Sequence, residues 1–262
     1  MLEILPKGPI QPLLQEKIMT YDAVNDTWDG EPSPPEVIFE QFNLPATPLG
    51  EINLFPDSYA TFFFEIEHQK LTEIFYLGHT SKQNRIKFTA GATYFSVKIP
   101  ATYIFNLTQS PRNLTNKKTP ISFPQNLFPV AEFGAKSFQE KIQTVQHFNR
   151  YFFPYQHNGI IDYIISQSMN LEEPPTLRKL AASLSLSSRQ LIDIFDTKIG
   201  LKPKEVIQTL RFQQSLHFLL NENETVTETF LSTNFYDHAH FNKFFKNFTG
   251  FTPTELKKLV IH

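Results

Sequence analysis

The segment TLRKLAASLSLSSRQLIDIFDTKIGLKPKEVIQTLRFQQSLHFLL, residues 176–220, decides how the rest of the chain is organised. Thr176 follows Pro174-Pro175 and is a good helix N-cap. Leu177, Leu180, Ala181 and Leu184 then recur at helical spacing and predict one buried stripe. Ser185 to Ser187 interrupt the stripe. Ser187 with Gln190 three residues on has the form of a capping box, which starts a second helix with Leu191, Ile194 and Phe195 turned inward. Gly200 stops that helix. A short helix, a tight turn and a second short helix can lay one helix into a DNA major groove.

The pattern recurs downstream. Pro203 opens a helix to about Leu220, with Val206, Ile207 and Leu210 on one apolar side and Phe212, Leu216, Leu219 and Leu220 on another, as suits a bridge between two small cores. Thr225 or Thr227 begins the next short helix, Asn234-Phe235-Tyr236 forms a turn, and Asp237 caps a second candidate reading helix. Phe241, Phe244, Phe245 and Phe248 are its buried stripe, Gly250 ends it, and Pro253 opens a last turn.

Three stretches, LRKLAASLSLSSRQLIDIF, GLKPKEVIQTLRFQQSLHFLL and NFYDHAHFNKFFKNFTGFTPTEL, resemble the DNA-binding domain of the AraC/XylS family of bacterial transcription regulators over roughly the last hundred residues. The resemblance implies two recognition helices inserted into successive major-groove faces of double-stranded DNA. It also implies base contacts at His238, Ala239, Asn242 and Lys243. Phe230 stands where the family uses a small residue, Asn234 where glycine is usual, and Lys257 where arginine is usual.

Read from the residues themselves, the outward face of the first reading helix carries Arg189, Asp193 and Asp196, with Gln190 and Ile192 at its edges. Arg189 can bind guanine bidentately, and Asp193 can accept from a cytosine amino group. Equally, Arg189 and Asp193 can pair with each other one turn apart. Opposite the Phe stripe of the second helix lie Ala239, Asn242, Lys243 and Lys246, with His238 and His240 in its first turn. Asn242 suits adenine, Lys243 suits guanine or phosphate, and Lys246 suits the backbone. Arg211 on the bridging helix matches a family arginine with a structural or a DNA-facing role.

Charge restrains that reading. The chain has net charge -2, and from Ile160 onward 11 Lys and Arg stand against 11 Asp and Glu, a net of zero. Phosphate neutralisation supplies most non-specific affinity, so the electropositive footprint is local or the affinity modest.

The 262 residues predict two domains, residues 1–154 and 155–262. From Gly50 to about Phe105 the period changes to two. Ile52–Phe55, Tyr59–Ile66, Ile74–Leu77, Arg85–Phe88, Thr93–Ile99 and Thr102–Phe105 are β-branched and aromatic, separated by turn residues. The first 48 residues are rich in Pro, Asp and Glu, with Val37–Phe42 a candidate strand. A helix is expected over Lys136–Phe152, with Ile142, Val145, Phe148 and Phe152 on one side, and another over Ile160–Met169. The expected class is α+β: an antiparallel β sandwich or barrel-like domain with a flanking helix, then an all-α domain of two helix-turn-helix units joined by a long helix. The β part resembles sensor or dimerisation domains of the same family, which implies a small-molecule effector, a homodimer, or both. Its aromatics serve equally as plain core.

No cysteine is present, which fits a reducing cytosol and excludes thiolate metal sites. No apolar run approaches the roughly 18 residues of a membrane span, and no secretory signal is visible. His68 and His79 are isolated, His238 and His240 point to different helix faces, and no nucleophile triad or phosphate-cradling loop appears, so neither metal, cofactor nor enzyme activity is expected. The sequence-level conclusion is a cytoplasmic, DNA-binding regulator whose output is at promoters, with RNA polymerase as a further partner. The alternative is a ligand- or protein-binding module whose helical domain no longer reads DNA.

Overall fold

A computed structural model describes residues 9, 11–27, 36–105, 110–121, 128–152, 155–169, 175–220, 225–233, 235 and 237–261. Strands β1 (Thr20–Thr27), β2 (Glu36–Asn43), β4 (Tyr59–Glu67), β5 (Lys70–Leu77), β7 (Thr93–Pro100) and β9 (Lys118–Pro120) form an antiparallel sheet in the order β1-β2-β7-β4-β5-β9. A second pair, β3 (Glu51–Leu54) with β6 (Asn84–Lys87), and a third, β8 (Tyr103–Phe105) with β10 (Tyr155–His157), complete the β structure of the described residues.

Both faces of the large sheet are covered, which explains why β4 contains three successive phenylalanines. Ala60, Phe62, Phe64 and Ile66 point to one face with Phe95, Val97 and Ile99. Helices α3 (Val130–Phe133) and α4 (Phe138–Phe152) close that face through Phe133, Ile142 and Val145, with Phe148 half-buried. Alternate residues Phe63, Phe75 and Tyr94 point the other way and meet Ile52, Leu54 and Ile86 of the β3–β6 pair and Phe88 just beyond it. This is the expected sandwich-like half of an α+β fold, with its flanking helix. The side chain of Phe152 lies outside the described residues.

The second face also buries charge. Lys98 Nζ lies 2.7 Å from Glu40 Oε1, with both side chains under a tenth exposed. Ser96 and Tyr21 hydroxyls donate to the same carboxylate at 2.9 and 2.8 Å, so the desolvated ions are hydrogen-bonded as well as paired.

Helix α5 (Gly159–Ser168) starts at Asn158, whose side chain accepts from Ile161 N, and buries Ile161, Ile164 and Ile165. Helices α6 (Leu177–Ser183) and α7 (Ser188–Lys198) form the first helix-turn-helix, and α9 (Val226–Ser232) and α10 (His238–Thr249) the second. The bridging helix α8 (Pro203–Leu220) joins them, and α11 (Pro253–Ile261) follows. The expected caps are present at Thr176, Ser187 and Asp237, and Thr225 rather than Thr227 caps α9, in a capping box with Glu228. The expected turn residues Asn234 and Tyr236 lie outside the described residues.

Helix α8 serves two cores. Val206 and Leu210 join α5, α6 and α7 through Ile161, Leu180, Leu191 and Phe195. Phe212, Leu216 and Leu219 join α10 and α11 through Phe241, Phe245 and Leu256. Neither core is closed by helical-domain residues alone: Ala101 enters the first and Phe55, 1% exposed, enters the second.

Candidate nucleic-acid interface

The second reading helix is the better defined of the two. Asp237 accepts from His240 N at 2.6 Å, satisfying a first-turn donor and placing negative charge at the positive end of the helix dipole. Phe241, Phe244 and Phe245 are buried, Phe248 is half-buried, and Gly250 closes the helix at φ 78. This anchoring leaves His238, Ala239, Asn242, Lys243 and Lys246 exposed. Among the described residues no side-chain hydrogen bond or ion pair engages Asn242 or Lys243, so their donors and acceptors are available.

Phe230 does not wedge α9 and α10 apart. Its half-buried ring stacks on His238 with centroids 3.9 Å apart and an interplanar angle of 25°, and meets Phe241 at 6.0 Å. The bulk is thus accommodated at the first turn of α10, where it fixes the His238 ring. Arg211 is structural: its guanidinium donates to Thr233 O at 3.4 Å and lies 5.2 Å from the centre of the Phe235 ring.

The first reading helix is differently arranged. Gln190 Oε1 accepts from Ser187 N at 2.9 Å and from the Ser187 hydroxyl at 2.9 Å, which leaves only the amide NH2 of Gln190 free to donate outward. Arg189 and Asp193 pair at 3.4 Å on an open surface, their side chains 86% and 59% exposed. Such a pair is weak and yields readily to a stronger partner. Asp196 is held from outside the helix. Arg112, on α2 (Pro111–Leu114), donates to it twice, Nε to Oδ1 at 3.0 Å and Nη2 to Oδ2 at 2.5 Å. The spacing of residues 176–200 gave no sign of this contact, because its partner lies 84 positions away.

The β sandwich also touches α8. The Phe55 ring meets Phe212 edge-on at 6.0 Å, and Gln213 Nε2 donates to Pro56 O at 2.8 Å. Gln11 holds the same turn, its amide donating to Phe55 O at 2.8 Å and accepting from Phe55 N at 2.7 Å. Next to the turn, a cavity of about 20 Å³ is lined by Gln11, Leu14, Phe55, Asp57, Thr80, Glu40 and Lys98 among others. That is room for one or two waters and too little for an organic effector. Among the described residues no group of three or more His, Asp or Glu could hold a metal ion.

Two buried titratable groups flank this turn. Burial pushes the Asp57 carboxyl up to about 6, opposed by the charge of Lys98 and by hydrogen bonds from Tyr59 N and Gln11. Burial pushes the His79 imidazole down to about 4, opposed by a hydrogen bond to the Ser58 backbone. His79, lowered in the fold, supports the native state above its ordinary value of 6.5 and withdraws that support as pH falls toward 4. Asp57, raised in the fold, supports the native state below its ordinary 3.8 and withdraws that support as pH rises through 6. The two slopes oppose each other between about pH 4 and 6. In His79→Asn only the Asp57 slope remains, so urea midpoints should fall from pH 4 to 6 more steeply than in the unmodified chain. Equal slopes in the two proteins would contradict this assignment.

Residues 180–259 match a family model described as a helix-turn-helix domain. The HTH-type transcriptional regulator ArgR of Pseudomonas aeruginosa is 28% identical over 99 residues, which are 38% of this chain and 30% of that protein. The matched residues run from within α6 to α11 and so carry both helix-turn-helix units. An AraC-type transcriptional regulator structure from Chromobacterium violaceum is 24% identical, covers 38% of this chain and 89% of its own, and has a TM-score of 0.35. ToxT of Vibrio cholerae is similar over 90% of this chain and 99% of its own, at 11% identity and a TM-score of 0.49. The chain thus spans under a third of the length of the first curated relative. Among the described residues no helix is long and apolar enough to cross a membrane.

Proposed function

We propose that the chain is a sequence-specific, double-stranded-DNA-binding transcription regulator, acting in the cytoplasm without enzymatic activity. In this reading residues 155–262 bind DNA through α7 and α10. Residues 1–154 form the unit that receives control, from a small-molecule effector or a second copy of the chain. RNA polymerase would be the partner that transmits the effect. The observation that supports this most is the outer face of α10, where Asn242, Lys243 and Lys246 stand exposed on a helix immobilised by a phenylalanine stripe and an aspartate cap. Asn242 offers the acceptor and donor pair that suits adenine, and the two lysines suit guanine or phosphate. The acidic residues of α7, the main objection on charge, are each paired with an arginine.

The test is a mobility shift with DNA from the chain's own upstream region. Asn242→Ala should weaken binding by about 1–3 kcal/mol and relax preference at one base pair. Lys243→Ala should weaken it and flatten its salt dependence if it meets phosphate, or relax preference at a base pair if it meets guanine. Unchanged affinity and preference in both variants would remove α10 as a reader. Absence of any shift at low salt would favour a module that no longer reads DNA.

A further inference from the structure

The outward stripe of α7 holds Arg189, Asp193 and Asp196, and a duplex lying along it would bring phosphate toward two carboxylates. Asp193 is answered by Arg189 within the helix, but nothing on α7 itself answers Asp196 among the described residues. The answer comes from the β-sandwich half of the chain, and its position is fixed by backbone rather than by a swinging side chain. Helix α2 lies directly against the end of α7: a Cβ on Gly200 would stand 2.7 Å from Arg112 N and 2.7 Å from the Pro111 carbonyl carbon. The Thr115 hydroxyl lies 2.9 Å from Pro111 O and 3.5 Å from Ile199 O, bridging the two elements. From this seat Arg112 forks onto Asp196 with two of its five N–H donors, while its side chain remains 68% exposed.

We propose that Arg112 is part of the DNA-binding surface: it cancels the charge of Asp196 and presents its remaining donors to a backbone phosphate where the C-terminal end of α7 leaves the groove. The β sandwich then contributes directly to DNA affinity and does more than regulate it. This rests on the reading of α7 and α10 as DNA-binding helices. The opposite use of the same contact, a lock that holds α7 against the sandwich and competes with DNA, makes the reverse prediction.

The experiment compares the unmodified chain, Arg112→Gln, Asp196→Asn and the double variant by mobility shift on the upstream fragment over a salt series. Arg112→Gln should bind roughly five- to tenfold more weakly at low salt, with the slope of log affinity against log salt shallower by about 0.9, the share of one phosphate. Asp196→Asn should bind at least as tightly as the unmodified chain. The double variant should bind more weakly than Asp196→Asn alone, because the phosphate contact is lost even when no acid needs cancelling. Arg112→Gln that binds equally well or more tightly, while the unmodified chain binds, overturns this proposal alone. An unmodified chain that shifts no fragment overturns it together with the reading beneath it.

Discussion

Phe212→Ala is expected to lower the free energy of unfolding by about 3–5 kcal/mol, the usual range for emptying a buried phenylalanine site. Phe212 is fully buried where α8 meets the sandwich and α10: Phe55 of the sandwich lies at 6.0 Å, and Phe245 and stacked Phe248 of α10 at 5.4 and 4.8 Å. The cavity cannot be closed by one neighbour moving inward. Phe55 is tied at both backbone groups to Gln11, and α10 is held in place by the buried rings of Phe241 and Phe244 in the same core. Urea unfolding should show the loss directly, and the variant should shift no upstream DNA at concentrations where the unmodified chain does. A loss below about 1 kcal/mol would mean that the surrounding side chains collapse into the emptied site.

Gly200→Ala should be nearly as damaging, for a different reason. Gly200 has φ 82, a conformation that costs an L-residue with a side chain roughly 1–2 kcal/mol. The added Cβ would also clash with Thr115 Oγ1 and stand 2.7 Å from two backbone atoms of α2, which cannot turn aside. Relief requires α2 to leave α7, which carries Arg112 away from Asp196. A total loss of about 2 kcal/mol or more is expected, with the DNA-binding defect of Arg112→Gln reproduced. Intact affinity in a destabilised Gly200→Ala would separate the α2 contact from DNA binding.

The helical half was legible almost residue by residue because its signals are local. The box at Ser187, the cap at Asp237 and the glycines at 200 and 250 act within four positions of themselves, whereas the start of α9 was open between Thr225 and Thr227 until its box with Glu228 fixed it. The sandwich was legible where strands bury apolar side chains, as in β4 and β7. It was missed where they do not: β1, TYDAVNDT, pairs with β2 along its length yet exposes Tyr21, Asp22, Ala23 and Val24, so backbone hydrogen bonds hold it without an apolar signature. The start of β5 was missed too. The turn before it puts His68 and Gln69 at φ 49 and 61, positions where Asn-Gly is the usual cue. Of the interface, the outer face of α10 followed from helical spacing. The roles of Arg112, Phe55 and Gln11 did not, since each depends on a contact spanning from 44 to 157 positions, which no periodicity records.

The central claim is that α7 and α10, joined by α8, engage one duplex together. Hydroxyl-radical footprinting of the full chain on its upstream region tests it most directly. Two protected patches on one face of the DNA, centred about one helical turn or ~34 Å apart, are expected, with the patch assigned to α10 weakened in Asn242→Ala. A single patch unaffected by Asn242→Ala, or no protection at low salt, would contradict it.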